Sequence, residues 1–235
     1  MSSRPLLLSV PHEGVQHVSM LLDEPPEGAP DVETVAFLFA HGAGAPMTST
    51  FIEGLATRLA AGGLPVLRFQ YAYMEQMQRS GKRRPPDRRS VLELVHRAAH
   101  SDARQRFKAR RLLMGGKSLG GRMASYLAAE GDECAGLMFF GYPLHPPGKP
   151  EKQRSEHFPA LAQPALFLQG DRDALCDLEL LRPALETYGG RATLEVIPSA
   201  DHGFDVLRSA GLSTEAVLDA LAAKALAWVR ATFPA

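Results

Sequence analysis

Cysteine is scarce in this chain. Cys134 and Cys176 are its only two, so no disulfide framework can be built from them, and neither stands in the spacing of a metal-ligand set. Long apolar runs are missing as well. No stretch approaches the roughly 18 consecutive apolar residues of a membrane span, and near the N-terminus only Leu6 to Leu8 is apolar, too short for a signal peptide. An excess of charge of either sign is the third absence. Lys+Arg and Asp+Glu both number 26, so no global field favours nucleic acid or a membrane surface as partner. These absences point to a soluble cytoplasmic protein, without fixing its oligomeric state. What is present is a 45% hydrophobic composition over 235 residues, which suits one domain, 1–235, with a substantial core.

Apolar segments of two kinds alternate along the chain. Val35 to Ala40, Pro65 to Phe69, Leu112 to Gly115, Gly136 to Phe140, Ala165 to Gln169 and Ala192 to Ile197 read as strands. Val35 to Ala40 has no polar alternation at all, as expected of a strand buried on both faces. Ser49 can cap a helix reaching Ala61, with Phe51, Ile52, Leu55 and Leu59 at helical spacing. Further helices are expected over about 90–106, 119–129, 178–188 and 214–233. Leu6 to Val10 and Val15 to Leu22 read as an edge hairpin turning at Pro11-His12-Glu13-Gly14, and Asp23 to Asp31 as a surface loop. Tyr71 to Arg89 reads as irregular, its arginines and lysine a solvated loop more readily than an anion-binding patch. The long excursion 141–163 reads as an active-site loop. Strands alternating with helices imply an α/β protein with a mostly parallel central sheet, helices on both faces and no large cap domain.

The chemistry centres on Leu112-Leu113-Met114-Gly115-Gly116-Lys117-Ser118-Leu119-Gly120-Gly121. Gly116, Ser118 and Gly120 fit G-x-S-x-G, the elbow in which a strand turns sharply into a helix and exposes a serine hydroxyl. A phosphate-binding loop would need glycine where Arg111 stands. A dinucleotide loop at His41-Gly42-Ala43-Gly44 fails at Met47, so no cofactor is expected. His96 and His100 share the spacing of H-E-x-x-H, but Arg97 holds the glutamate position, so no metal is expected either.

In parallel sheets, functional groups gather at the carboxyl ends of the strands. His41, Ser118, Asp173 and His202 each follow a different expected strand. A serine hydroxyl needs a base, and the base needs a carboxylate to hold its tautomer. The assignment is Ser118 as nucleophile, His202 as base and Asp173 as acid, with Asp171 and Asp201 in reserve. The amides of Leu119 and Ala43 would hold an oxyanion, with Gly44 in reserve. His41, Gly44, Lys117, Tyr142 and His145 are the expected substrate contacts. Taken singly, each triad member also has a plain reading: a turn serine, a helix-capping aspartate, a loop histidine.

The order Ser118, Asp173, His202 is that of the α/β-hydrolases, and the chain resembles that superfamily over nearly its whole length. More narrowly it is similar to the dienelactone-hydrolase-sized, testis-expressed-protein-30-like group. The likeness rests on HGAGAPMTS (41–49), GGKSLGGRMAS (115–125), GYPLHPPGKPE (141–151), LFLQGDRDAL (166–175) and ADHGF (200–204). It implies the α/β-hydrolase fold and a triad at Ser118, Asp173 and His202, but no particular substrate. The expectation is a serine hydrolase cleaving an ester or thioester of a small acyl substrate, with amide hydrolysis a weaker option. The alternative is a binding or scaffold domain with a vestigial site.

Overall fold

The computed structural model describes residues 3–11, 14–29, 34–207, 209 and 211–234. His12 and Glu13 of the expected hairpin turn, and Pro30 and Asp31 of the expected surface loop, lie outside the described residues. Eight strands form one sheet: β1 (Arg4–Ser9), β2 (His17–Asp23), β3 (Val35–Ala40), β4 (Val66–Phe69), β5 (Arg111–Lys117), β6 (Gly136–Phe140), β7 (Ala165–Gly170) and β8 (Ala192–Ile197). Their spatial order is β1-β2-β4-β3-β5-β6-β7-β8. The β1–β2 and β2–β4 pairs are antiparallel and the remaining five pairs parallel. Among the described residues six α-helices connect and cover them: α1 (Thr50–Ala61), α2 (Ala72–Ser80), α3 (Arg89–Arg106), α4 (Leu119–Ala129), α5 (Leu178–Glu186) and α6 (Thr214–Thr232). A 3₁₀ turn, Phe158–Ala160, lies in the long excursion before β7.

The strand pattern explains the layering. Side chains alternate across a sheet, so Val35, Phe37 and Phe39 pack with α1 and α6 on one face. Ala36, Leu38 and Ala40 meet α3 and the start of α4 on the other. Met114, Leu137 and Phe139 continue that second layer beneath α4 and α5. Both faces are therefore apolar, and the central strands read as unbroken hydrophobic runs for that reason.

One expectation is overturned. Tyr71 to Arg89 is not irregular throughout, because Ala72–Ser80 is helical. Its first turn buries Ala72, Tyr73, Met74 and Glu75, and Gly81 closes it in the left-handed region at φ +67° with its amide donating to Met77 O. Tertiary burial of that turn stabilises a helix too short to stand on propensity alone. The basic residues just beyond it hid the apolar signal. A second feature without a sequence signal is the buried pair Arg68–Asp23. Arg68 Nε and Nη2 donate to the two Asp23 oxygens at 2.7 and 2.8 Å, and Nη1 to Met47 O at 2.9 Å. This bidentate pair ties the antiparallel edge to the parallel core.

The parallel registers bring the strand ends together. Ala40 lies beside Gly116, Lys117 beside Phe140, Phe140 beside Leu168, and Gly170 beside Ile197. The loops that follow β3, β5, β7 and β8 thus leave the sheet at one edge.

Candidate active site

At the end of β5 the chain enters α4 through Ser118, whose backbone stands at φ 49°, ψ −113°. A non-glycine residue there costs on the order of 1–3 kcal/mol and persists only where the surroundings enforce it. Two glycines permit the turn. A Cβ on Gly116 would stand 2.3 Å from Ala40 O, and one on Gly120 2.5 Å from the same atom. The elbow is pressed onto the end of β3 with no room for a side chain.

Ser118 Oγ lies 2.8 Å from His202 Nε2, and His202 Nδ1 lies 2.7 Å from Asp173 Oδ2. Asp173 Oδ1 accepts the Leu175 amide at 2.7 Å, and Oδ2 also accepts Gln169 Nε2 at 2.6 Å. A carboxylate accepting from Nδ1 leaves Nε2 free to accept the serine proton. The two reserves are placed elsewhere. Asp201 Oδ1 accepts the Gly203 and Asp205 amides and shapes its own turn, while Asp171 is exposed.

The loop after β3 faces the elbow. Leu119 is the first residue of α4, whose opening amides have no partner within the helix. Ala43 lies across from it, lining with Ser118 both of the clefts that meet there. Two side chains absent from the sequence reading hold this arrangement. Tyr73 OH reaches the carbonyls of Gly42 and Ala43 at 3.1 Å each, pinning the loop by its acceptors. Gln169, fully buried, spans from the Asp173 carboxylate to the Tyr142 amide at 2.8 Å. The one signal for Gln169 was a polar residue closing the apolar strand Leu166-Phe167-Leu168.

The expected substrate contacts divide. Gly44 and Lys117 line a mostly apolar cleft of about 550 Å³ together with Phe51, Ile52, Ser118 and His202. Lys117 Nζ donates to His202 O and sits 5.3 Å from the Phe204 ring centre, so the ammonium braces the histidine loop. Burial lowers its pKa to about 8, against the pull of Asp173 and Asp201.

His41, Tyr142 and His145 require correction, since none of them lines either cleft at Ser118. His41 is fully buried, its Nε2 accepting the Tyr71 amide at 3.0 Å and its Nδ1 2.7 Å from Gly42 O. Tyr142 is buried in the aromatic layer and donates to Arg154 O at 2.8 Å. His145 Nε2 accepts the Asp177 amide at 3.1 Å, behind Asp173. Each is a backbone brace, because an imidazole or phenol beside an apolar strand end is satisfied by the nearest loop amide or carbonyl. Of the excursion 141–163, Pro143 and Arg154 reach a cleft at Ser118. A wider depression of about 920 Å³, among Arg97, Arg104 and Glu133, opens beside residues 131–133 and the end of α3, away from Ser118.

Burial lowers the pKa of four histidines outside the relay, His100 among them, and three carry the larger shifts. Burial lowers the pKa of His41 to about 4, of His96 to about 3 and of His157 to about 4. Below the ordinary value of about 6.5 the unfolded chain protonates them while the fold keeps them neutral. The unfolded state then holds more protons, so stability that is complete above pH 6.5 falls as pH drops toward 4. His96→Gln removes one of the three, and Gln keeps a partner for the Tyr71 hydroxyl that now lies 3.0 Å from His96 Nδ1. Denaturant titrations at pH 5 to 6 should give a stability slope smaller by about 1.4 kcal/mol per pH unit in the variant. Equal slopes would contradict the assignment.

Residues 33–230 match the family model described as Alpha/beta hydrolase domain. Among solved structures, the chain is similar to an α/β serine hydrolase without a lid from Xanthomonas campestris, at 22% identity over 100% of this chain and 97% of that one, TM-score 0.71. It is similar to dienelactone hydrolase from Anabaena variabilis, at 23% identity over 97% and 96% of the two chains, TM-score 0.71. The esterase domain of a Rhodothermus marinus protein matches at 15% identity over 98% and 99%, TM-score 0.70. At such identities the shared property is the fold.

Proposed function

Because this chain belongs to the α/β-hydrolase domain family, we propose that it is a serine hydrolase that cleaves an ester or thioester of a small acyl substrate. The observation that carries the reading is the continuous relay from Ser118 Oγ through the His202 ring to the Asp173 carboxylate, at 2.8 and 2.7 Å. A serine hydroxyl is a poor nucleophile until a base accepts its proton as it attacks. In the proposed mechanism His202 Nε2 takes that proton, and Asp173 stabilises the imidazolium formed. The Ser118 oxygen adds to the substrate carbonyl, and the developing oxyanion is held by the amides of Ala43 and Leu119. Proton return from His202 to the leaving group frees the alcohol or thiol. Water, deprotonated by the same imidazole, then resolves the acyl-enzyme.

Strain at Ser118 supports this reading over a capping serine, since a cap needs no positive φ. So does the meeting of two clefts at Ser118, Ala43 and Leu175, which leaves room for a substrate group on each side of the scissile bond. The test is labelling with a fluorophosphonate probe, the modified residue mapped by mass spectrometry. Label is expected on Ser118 and should disappear in His202→Ala. A folded wild-type protein that takes no label would overturn the reading in favour of a binding or scaffold domain.

A further inference from the structure

The two clefts that meet at Ser118 differ in chemistry. The one toward Phe51 and Ile52 is mostly apolar. The other, about 400 Å³, runs along α4 and takes in Arg122, Tyr126 and Arg154 as well as Ser118 and Leu119. Arg122 stands one helical turn beyond the nucleophile, its amide donating to Ser118 O at 3.1 Å. Among the described residues, no carboxylate lies within 4 Å of the Arg122 or Arg154 guanidinium, and Arg122 Nε is buried without a hydrogen-bond partner.

Three costs converge on this pair. A buried donor left unmade is unfavourable. Arg154 is held below the ordinary arginine range by burial and then by the Arg122 charge, so the two repel. Arg122 also lies in the first turn and a half of α4, where the helix dipole opposes a cation. Other arginines of the region are relieved. Arg89, which also borders the cleft, pairs with Glu93 and Glu130. Among the described residues Asp87 is the only carboxylate lining the cleft; it lies beyond 4 Å of both the Arg122 and Arg154 guanidinium groups, its Oδ2 buried without a hydrogen-bond partner, while Arg154 Nη1 donates only to Pro143 O at 3.4 Å. All three costs disappear if an anion occupies the cleft, because a carboxylate or phosphate takes the fork of a guanidinium in paired hydrogen bonds.

We infer that the cleft along α4 binds an anionic group of the substrate, a carboxylate or phosphate held by Arg122 and Arg154, while the apolar cleft takes the other, uncharged half of the ester or thioester. This specifies the substrate class of the proposed hydrolase site and rests on that reading for the chemistry, though not for the binding. One helical turn is about 5.4 Å. The charge should therefore lie a few bonds from the reacting carbonyl, as in a hemiester of a short dicarboxylic acid or an ester of a small phosphorylated alcohol.

Two measurements test the inference separately from the hydrolase reading. In the first, succinate and inorganic phosphate are titrated calorimetrically into wild type, Ser118→Ala and Arg122→Gln, each checked for cooperative thermal unfolding. Wild type and Ser118→Ala should bind at least one of the two anions. Arg122→Gln should bind it about 10- to 100-fold more weakly, the loss expected for a charge-assisted contact. The succinate and phosphate arms distinguish the two anion chemistries. No binding of either anion to wild type, or unchanged binding in Arg122→Gln, overturns the inference whatever the catalytic result. The second measurement compares kcat/KM for 4-nitrophenyl hemisuccinate and 4-nitrophenyl butyrate. The charged-over-neutral ratio should fall at least tenfold in Arg122→Gln and in Arg154→Gln. An equal ratio in all three proteins overturns it. Loss of both activities in Ser118→Ala with anion binding retained would leave the serine essential for turnover and the anion site independent of it.

Discussion

Ser118→Ala is expected to lower kcat for 4-nitrophenyl butyrate by about 10⁵- to 10⁶-fold, the scale on which removing the nucleophile of a coupled triad acts. The relay gives the physical reason. With Oγ gone, His202 Nε2 has no proton to accept and the carbonyl no nucleophile, so only oxyanion binding and substrate positioning survive. The fold should be retained. Alanine has the same backbone restriction as serine, so the strain at φ 49° is unchanged. Ser118 Oγ makes its one hydrogen bond to a partly exposed imidazole, which water can replace. Melting temperatures within a few degrees of wild type, together with the rate loss, are the expected result. A variant retaining a tenth of the wild-type rate would sink the nucleophile assignment.

Asp173→Asn should be the next most damaging change to catalysis, at about 10⁴-fold in kcat near neutral pH. Asp173 accepts three donors, the Leu175 amide on Oδ1 and both Gln169 Nε2 and His202 Nδ1 on Oδ2. An asparagine can keep two of them by turning its carbonyl toward Gln169 and His202, losing the Leu175 bond, so the fold should survive. The negative charge that stabilises the imidazolium is lost in either orientation. Turned the other way, the amide group presents N–H to Nδ1 and drives the ring toward the wrong tautomer. Asp171→Asn is the control. That exposed residue should leave kcat within about twofold, and a larger loss there than in Asp173→Asn would reverse the choice of acid. The rate of fluorophosphonate labelling of Ser118 in the two variants is an independent readout, because it reports serine activation without a chosen ester.

The strand cores and the glycine pattern of the elbow were legible in the residues because they answer to local rules. A strand buried on both faces must be apolar throughout, as Val35–Ala40 is. A strand-to-helix turn pressed against a neighbouring backbone must carry glycine at Gly116 and Gly120. The parallel sheet, with its edge hairpin and its helices on both faces, follows from the alternation of such runs with amphipathic helices. The order of Ser118, Asp173 and His202 along the chain was equally visible, each residue at the end of its strand.

Contacts between distant segments were not legible, because no local pattern encodes them. Helix α2 is held by burial of its first turn against the sheet rather than by its own propensity. Gln169 and Tyr73 are unremarkable letters in the chain, and they act only because β7 ends near Asp173 and α2 begins beside the Gly42–Ala43 carbonyls. His41, Tyr142 and His145 lie in the segments that surround the site. Whether such a side chain turns to solvent or to a loop amide is decided by which backbone groups lie within hydrogen-bond reach, and here those are Tyr71, Arg154 and Asp177. The same holds for Arg122 and Arg154, 32 positions apart by number. The sequence by itself determined the architecture and the order in which Ser118, Asp173 and His202 follow their strands. Only the folded chain decided which polar groups found partners, and it left two guanidinium groups beside Ser118 without a carboxylate.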